Sequence, residues 1–267
     1  MLPYDIILGN TPLAPIIVSV PHCGTAFPPE LKDRFIESFT TYPEDTDWFV
    51  NKLYDFAPRM GITLISAKYS RYIIDLNRDP SGANLYQDGR KETVLVPSLS
   101  FSGKPLYKDA KPSAEDVAER KKKYFDPYYE RIASLLKEMQ TQHKHVLLFD
   151  GHSIKRRVPS IRKEPFPDLI LGDAQGKAAS PDLTRTALEC LRSSKYEVAH
   201  NAPFQGGFIT RHFGRSAQNI HALQLEMSQE IYMDEERTSL TDSKASKLSS
   251  TLQTLLTALI KTLKELK

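Results

Sequence analysis

The chain has 267 residues, enough to bury a full hydrophobic core as one large domain or two small ones. Hydrophobic residues make up 40% and charged residues 26%, ordinary for a globular chain, and a net charge of +3 is too small to argue for nucleic acid. Two cysteines, Cys23 and Cys190, exclude a disulfide scaffold, and no apolar run approaches the roughly 20 residues that span a bilayer.

In chain order, Met1 to Ile6 lack a basic region followed by a long apolar core, so no signal peptide is expected and the expected location is cytoplasmic. Residues 1–15 read as an edge strand or entry loop. Ile16-Ile17-Val18-Ser19-Val20 is a β-branched apolar strand that runs into Pro21-His22-Cys23-Gly24. Leu31 to Phe39 reads as a short helix. Pro43 to Asp47 opens an amphipathic helix carrying Trp48, Leu53 and Phe56, which Gly61 stops. Residues 62–65 and 71–78 read as the second and third strands, and residues 83–112, rich in Gly, Pro and Lys, suit a long active-site loop.

Ser113-Ala114-Glu115-Asp116 resembles a capping box. It starts a long helix with Val117, Tyr124, Tyr128, Ile132, Leu135 and Met139 on one side and a kink at Pro127. The strand at 145–149 leads into Asp150-Gly151-His152-Ser153, and Ile154 to Phe166 is a basic, proline-broken loop. A strand at 168–172, a helix from Pro181 to Ser194 and a strand starting at Tyr196 follow. Phe204 to Arg211 is a glycine-rich turn leading into a loop, and the next strand ends at Glu226. Residues 241–267 form a last helix whose leucine stripe docks on the sheet. This alternation argues for the α/β class: one domain, with a mixed, mostly parallel sheet flanked by helices.

His22 and His152 stand where an apolar strand gives out, the place where α/β sheets present ligands. Neutral imidazole binds zinc, and a catalytic zinc takes three protein ligands; either histidine alone is equally a strand cap. Thr25 occupies the position three residues after His22 where a glutamate ligand is usual, so the third ligand is sought among Glu44, Asp45 and Asp47. Asp45 and Asp47 also suit the N-cap of the helix they precede. Glu226 interrupts Leu223-Gln224-Leu225-Glu226-Met227. Buried there, its carboxyl is pushed toward neutrality and suits a general base; turned outward with Gln224, it is an ordinary strand residue.

Arg71, Asn77, Arg78 and Arg211 form a set able to hold carboxylates, which points to a small acidic substrate, or else surface ion pairs. Gly206-Gly207 allows close backbone approach to a ligand, or makes only a turn. Lys121-Lys122-Lys123 and Lys155-Arg156-Arg157 read as solvated faces without the interleaved aromatics of a nucleic-acid site. Cys23 lacks an orienting partner for a thiol nucleophile.

Six segments together resemble the N-formylglutamate amidohydrolase (deformylase) family. They are Ser19-Val20-Pro21-His22-Cys23-Gly24, Asp45-Thr46-Asp47-Trp48-Phe49-Val50, the stretch Arg71 to Arg78, Asp150-Gly151-His152-Ser153, the stretch Pro203 to Arg211, and Leu223-Gln224-Leu225-Glu226-Met227. They keep the family's order and span residues 16 to about 234, leaving the C-terminal helix outside. The resemblance implies a zinc-carboxypeptidase-like (phosphorylase/hydrolase-like) α/β fold, related to aspartoacylases. It implies one zinc ion on His22, Asp47 and His152, with Asp47 replacing the missing glutamate. It further implies Glu226 as general base, and Arg71, Asn77, Arg78 and Arg211 as binders of substrate carboxylates. The implied reaction cleaves N-formyl-L-glutamate to formate and L-glutamate, a late step of histidine degradation. Another N-acyl amino acid or short peptide is the second reading of the substrate, and a metal-free binding protein the third. Neither nucleic acid nor membrane is an expected partner.

Overall fold

Apolar runs, β-branched in β2 and leucine-rich elsewhere, become the central strands of one mixed sheet. The computed structural model describes residues 2–85 and 93–267; residues 86–92, within the expected 83–112 loop, lie outside the described residues. The strands are β1 (Tyr4–Ile7), β2 (Ile16–Val20), β3 (Thr63–Ala67), β4 (Val146–Ile154), β5 (Leu169–Gly172), β6 (Val198–His200) and β7 (Ile220–Ser228), in spatial order β1-β3-β2-β4-β7-β5-β6. β3, β2, β4 and β7 are parallel neighbours. Edge strand β1 is antiparallel to β3; β5 is antiparallel to β7 and parallel to β6. The sheet is thus mixed and mostly parallel, as the sequence implies. The helices are α1 (Pro29–Lys32), α2 (Glu37–Thr41), α3 (Val50–Leu53), α4 (Ala114–Arg120), α5 (Asp126–Gln140), α6 (Pro181–Arg192), α7 (Phe208–Phe213) and α8 (Asp242–Glu265). No helix among the described residues is long and apolar enough to cross a membrane.

The central strands are covered on both faces, so alternate residues enter two cores. On one face Leu147, Phe149, Leu223, Leu225 and Met227 pack with Leu183, Ala187 and Leu191 of α6 and with the leucine stripe of α8. On the other, Val146, Leu148 and Ala222 pack with Tyr128, Tyr129, Ile132 and Leu135 of α5. Following this second face toward the C-terminal ends of β4 and β7, the period of two places Asp150, His152, Gln224 and Glu226 on it. Leu255 is fully buried in the α8 stripe. Leu255→Ala should cost about 2–5 kcal/mol, read as a lower denaturant midpoint at unchanged m-value. A loss below about 0.5 kcal/mol, the size of an ordinary surface change, would remove the stripe from the core.

Several expected elements differ, each for a local reason. The helix expected after Pro43 is broken. Residues 44–49 form turns, Phe49 is left-handed (φ 62°), and only the single turn α3 and a 3-10 turn at Ala57–Met60 remain before Gly61 (φ 78°). Asp47 does not cap a helix, because its backbone N–H bonds the His22 carbonyl and its carboxylate is turned inward. The third strand expected at 71–78 is absent, and the segment is a series of turns. The buried Asp75 carboxylate captures the Asn77 N–H and the Arg71 guanidinium, which bends the chain back on itself. Leu31 to Phe39 is interrupted between α1 and α2. At Pro127, which has no N–H to donate, the long helix re-phases through a π turn at Lys121–Phe125 instead of kinking. β4 runs on to Ile154, so His152 lies inside a strand and not past its end. The glycine-rich turn opens α7 where a loop was expected.

At the opposite end of β4 and β7, the rings of His145 and His221 stack with centroids 5.5 Å apart. Burial first, and the charge of His145 next, push His221 down to about 4. An unfolded histidine titrates near 6.5. Between pH 6.5 and 4 the unfolded chain therefore binds more protons, and stability falls as the pH drops. His221→Gln should flatten that loss by up to about 3 kcal/mol over the window. Denaturant midpoints at several pH values check it; parallel curves for the two proteins would rule it out.

Candidate metal centre

Three side chains from separate segments meet at the polar end of the second face. His22 lies two residues past β2, Asp47 in the turns before α3, and His152 in β4. All three are buried, and one ligand atom from each lies within 4.8 Å of the others. Asp47 Oδ2 stands 3.1 Å from His152 Nδ1 and 3.8 Å from His22 Nδ1. Ligands at ~2.0–2.1 Å around a tetrahedral ion are about 3.3 Å apart, so this donor set fits one divalent cation.

The outer nitrogens are also held. His22 Nε2 is 2.7 Å from Asp75 Oδ1, and His152 Nε2 is 2.9 Å from Asp150 Oδ2. An N–H donated outward to a carboxylate leaves the Nδ1 lone pair of each ring facing Asp47, the orientation that metal-binding imidazoles take. The Ser153 N–H donates to Asp47 Oδ2 at 3.0 Å and orients the third donor.

Electrostatics separates the two rings: without a cation His22 favours the neutral form and His152 the protonated one, whose proton a metal must displace. Burial, then Arg71, lowers the pKa of His22, which favours the neutral ring a metal needs. For His152 burial opposes the charge, but Asp150 and Asp47 outweigh it and hold the imidazole well above its ordinary value. Burial opposes ionisation of Asp47 and Asp75 too, yet His152 and His22 lower the first, and Arg71 and His22 hold the second well below the usual carboxylate range. Within the cluster three buried aspartates, Asp47, Asp75 and Asp150, face the buried guanidinium of Arg71, an excess of negative charge that a dication offsets.

Glu226 pairs in register with His152 across β4 and β7. It is 9% exposed, so it does not face outward. Burial, opposed by the charge of His152 and supported by that of Asp47, pushes its carboxyl up to about 8.

A cavity of about 460 Å³ opens over the cluster, with Glu226, Arg71, Asn77 and Arg78 in its wall. Arg71 donates to Asp75 Oδ2 at 2.7 Å and lies over the Phe101 ring, 4.9 Å from its centroid. Arg78 Nε donates to Thr93 Oγ1 at 2.8 Å. The Asn77 amide accepts from the Ile209 N–H at 2.8 Å, and its Nδ2 lies 3.1 Å from His152 Nε2. A Cβ on Gly207 would stand 2.3 Å from that Nδ2, so glycine is what lets this loop close over Asn77. Arg211 is half-buried on α7, donates Nε to the Gly206 carbonyl at 2.9 Å, and is not among the residues lining the cavity. Asp45, the alternative third ligand, stands outside the cluster, where its Oδ2 accepts from the Phe101 N–H at 2.8 Å.

Sequence reasoning passed over Asp75, Asp150 and Gln224. The signals were present. Asp75 interrupts Ile73-Ile74-Asp75-Leu76, where a buried charge demands partners. Asp150 stands two residues before His152 and so shares its strand face. Gln224 does the same before Glu226, and its Oε1 accepts from the Gly207 N–H at 2.7 Å. Asp150→Ala should weaken divalent metal binding by about 10–100-fold in a chelator competition. An unchanged affinity in a folded variant would remove its orienting role.

Fold and site together define an α/β protein with a buried His–Asp–His donor set at the C-terminal edge of a mixed sheet. The family model described as N-formylglutamate amidohydrolase matches residues 14–233. The chain belongs to the N-formylglutamate amidohydrolase family, and is of the hydrolase type. It is similar to the N-formylglutamate deformylase of Pseudomonas aeruginosa, 38% identical over 224 residues and 83% of each chain. The N-formylglutamate deformylase of Pseudomonas putida is 36% identical over 83% of this chain and 82% of that one. Among solved structures, an N-formylglutamate amidohydrolase from Ralstonia eutropha JMP134 superposes with a TM-score of 0.80 at 25% identity, covering 97% of both chains. A gene product of Agrobacterium tumefaciens shares the fold, with a TM-score of 0.72 at 12% identity and 96% of both chains covered.

Proposed function

We propose that this protein hydrolyses N-formyl-L-glutamate to formate and L-glutamate, with one zinc ion held by His22, Asp47 and His152. The observation that carries the reading is the buried trio with Glu226 one strand away. The names of the curated relatives support the substrate. A cation bound there supplies Lewis acidity, lowering the pKa of water and polarising an amide carbonyl.

The rest of the work falls to the chain. Burial raises the proton affinity of the Glu226 carboxylate, so its ionised form takes a proton from the attacking water and delivers it to the leaving nitrogen. The C–N bond breaks, the water oxygen stays with the formyl carbon, and the amine leaves protonated. Arg71, Asn77 and Arg78 face the cavity and suit the two carboxylates of an acidic substrate. Arg211 joins them by turning from the Gly206 carbonyl. The reading needs no nucleic-acid or membrane partner and goes with a cytoplasmic location.

Formate release from N-formylglutamate, beside N-acetylglutamate and N-formyl derivatives of neutral amino acids, tests the substrate. If formylglutamate stays intact while another compound is cleaved, the acyl group or amino acid is wrong. Metal analysis of protein purified without chelator tests the ion. An inactive, metal-free protein that zinc does not rescue would make this a binding protein.

A further inference from the structure

A second cavity of about 380 Å³ adjoins the first and shares Phe101, Ser153, Ile154 and Ser160 with it. Part of its wall is Lys155 and Arg157, from the basic run Lys155-Arg156-Arg157 that reads from sequence as a solvated face. The structure divides that run. Arg156 turns to acids, pairing with Asp168 at 2.7 Å and reaching Glu230 at 3.5 Å and Glu197 at 3.7 Å. Lys155, half-buried, and Arg157 line the cavity, and neither forms an ion pair among the described residues.

The acids of the same cavity are already engaged. Glu44 is held by Ser102 and Lys104, and Asp45 by the Phe101 N–H. Lys155 and Arg157 therefore face the cavity without a carboxylate partner among the described residues. Thr46 and Gln229, 1% and 2% exposed, also line this cavity, and each carries a buried side-chain oxygen without a hydrogen-bond partner. A pocket lined by cations without carboxylate partners favours an anionic occupant, and Gln229 Oε1, an acceptor only, adds nothing to that preference.

The direction of approach rests on the function proposed above. A substrate with its amino-acid carboxylates at Arg71, Asn77 and Arg78 directs its acyl arm to Ser153 and Ile154, the wall common to both cavities. A formyl arm, one carbon long, leaves the second cavity empty. We infer that this second cavity is an acyl-arm subsite, and that the protein also hydrolyses N-acyl amino acids whose acyl chain ends in a carboxylate. The arm passes Phe101 and Ile154, and its terminal carboxylate meets Lys155 and Arg157. The chemistry is the same hydrolysis: the amide C–N bond breaks, the water oxygen joins the acyl carbon to give a dicarboxylate, and a proton goes to the leaving amine.

Two N-acyl-L-glutamates of equal arm length separate charge from size: N-glutaryl, with a terminal carboxylate, and N-valeryl, without one. For the wild type, kcat/KM for the glutaryl compound should exceed that for the valeryl compound by about tenfold, the scale of a hydrogen bond to a charged group. In Lys155→Met/Arg157→Gln that ratio should fall to about one. Calorimetric binding of both compounds to the Glu226→Gln protein reads the same preference without requiring turnover. Equal values for the two arms, or a preference that survives the double substitution, would overturn the subsite. Cleavage of formylglutamate with no binding or cleavage of the glutaryl compound would also overturn it. A glutaryl preference in a protein that leaves formylglutamate intact would uphold the subsite and refute the formyl reading alone.

Discussion

Glu226→Gln should lower kcat by about 10²–10⁴-fold and leave the metal content unchanged. The amide keeps the size of the carboxyl and the strand register with His152, but it cannot take a proton from water. Burial on β7 holds the carboxyl near neutral pH, where a base takes up and returns a proton at small cost. The cation trio is complete without this residue. Parallel measurement of turnover and bound metal discriminates the possible roles. Loss of both would make Glu226 a ligand; retained turnover would pass the proton to another group.

Asp47→Asn should abolish tight metal binding and activity together, while Asp45→Asn keeps the metal. The two residues are two apart in sequence and both suit a helix cap there, with Asp47 favoured as the ligand by the family resemblance. In the structure only Asp47 reaches both imidazoles; Asp45 is tied to the 101 loop. Removal of a direct ligand should cost more than the roughly 10–100-fold that loss of an outer partner costs. The asparagine oxygen still accepts from the Ser153 N–H, so the local fold should survive. Metal retained by Asp47→Asn and lost by Asp45→Asn would reverse the assignment.

Most of the architecture was legible because its causes are local. The run at 16–20 is apolar and β-branched, 146–149 is apolar, 222–226 alternates around leucines, and the α8 leucines repeat at helical spacing. Two of the misreadings share one physical origin. At 43–49 and 71–78 the sequence has the composition of a helix and a strand, yet the Asp75 carboxylate bends its own backbone into turns and the Asp47 carboxylate is turned inward to the Ser153 N–H. A buried carboxylate that collects N–H donors overrides propensity, because leaving it unpaired costs more than an element of regular structure contributes. The same burial changed the meaning of Glu226, whose alternation with leucine reads equally well as an exposed strand position.

The sequence by itself determined the central strands, the long helices and the residue types from which a metal centre can be built, since these depend on spacing over a few positions. Only the tertiary structure decided which aspartate joins the two histidines, that Asp75 and Asp150 hold their outer nitrogens, and that Lys155 and Arg157 face a cavity. Apart from the Asp150–His152 pair, two positions apart, those choices depend on distances between residues tens to more than a hundred positions apart, and charge interactions fall off over a few ångströms that only folding sets.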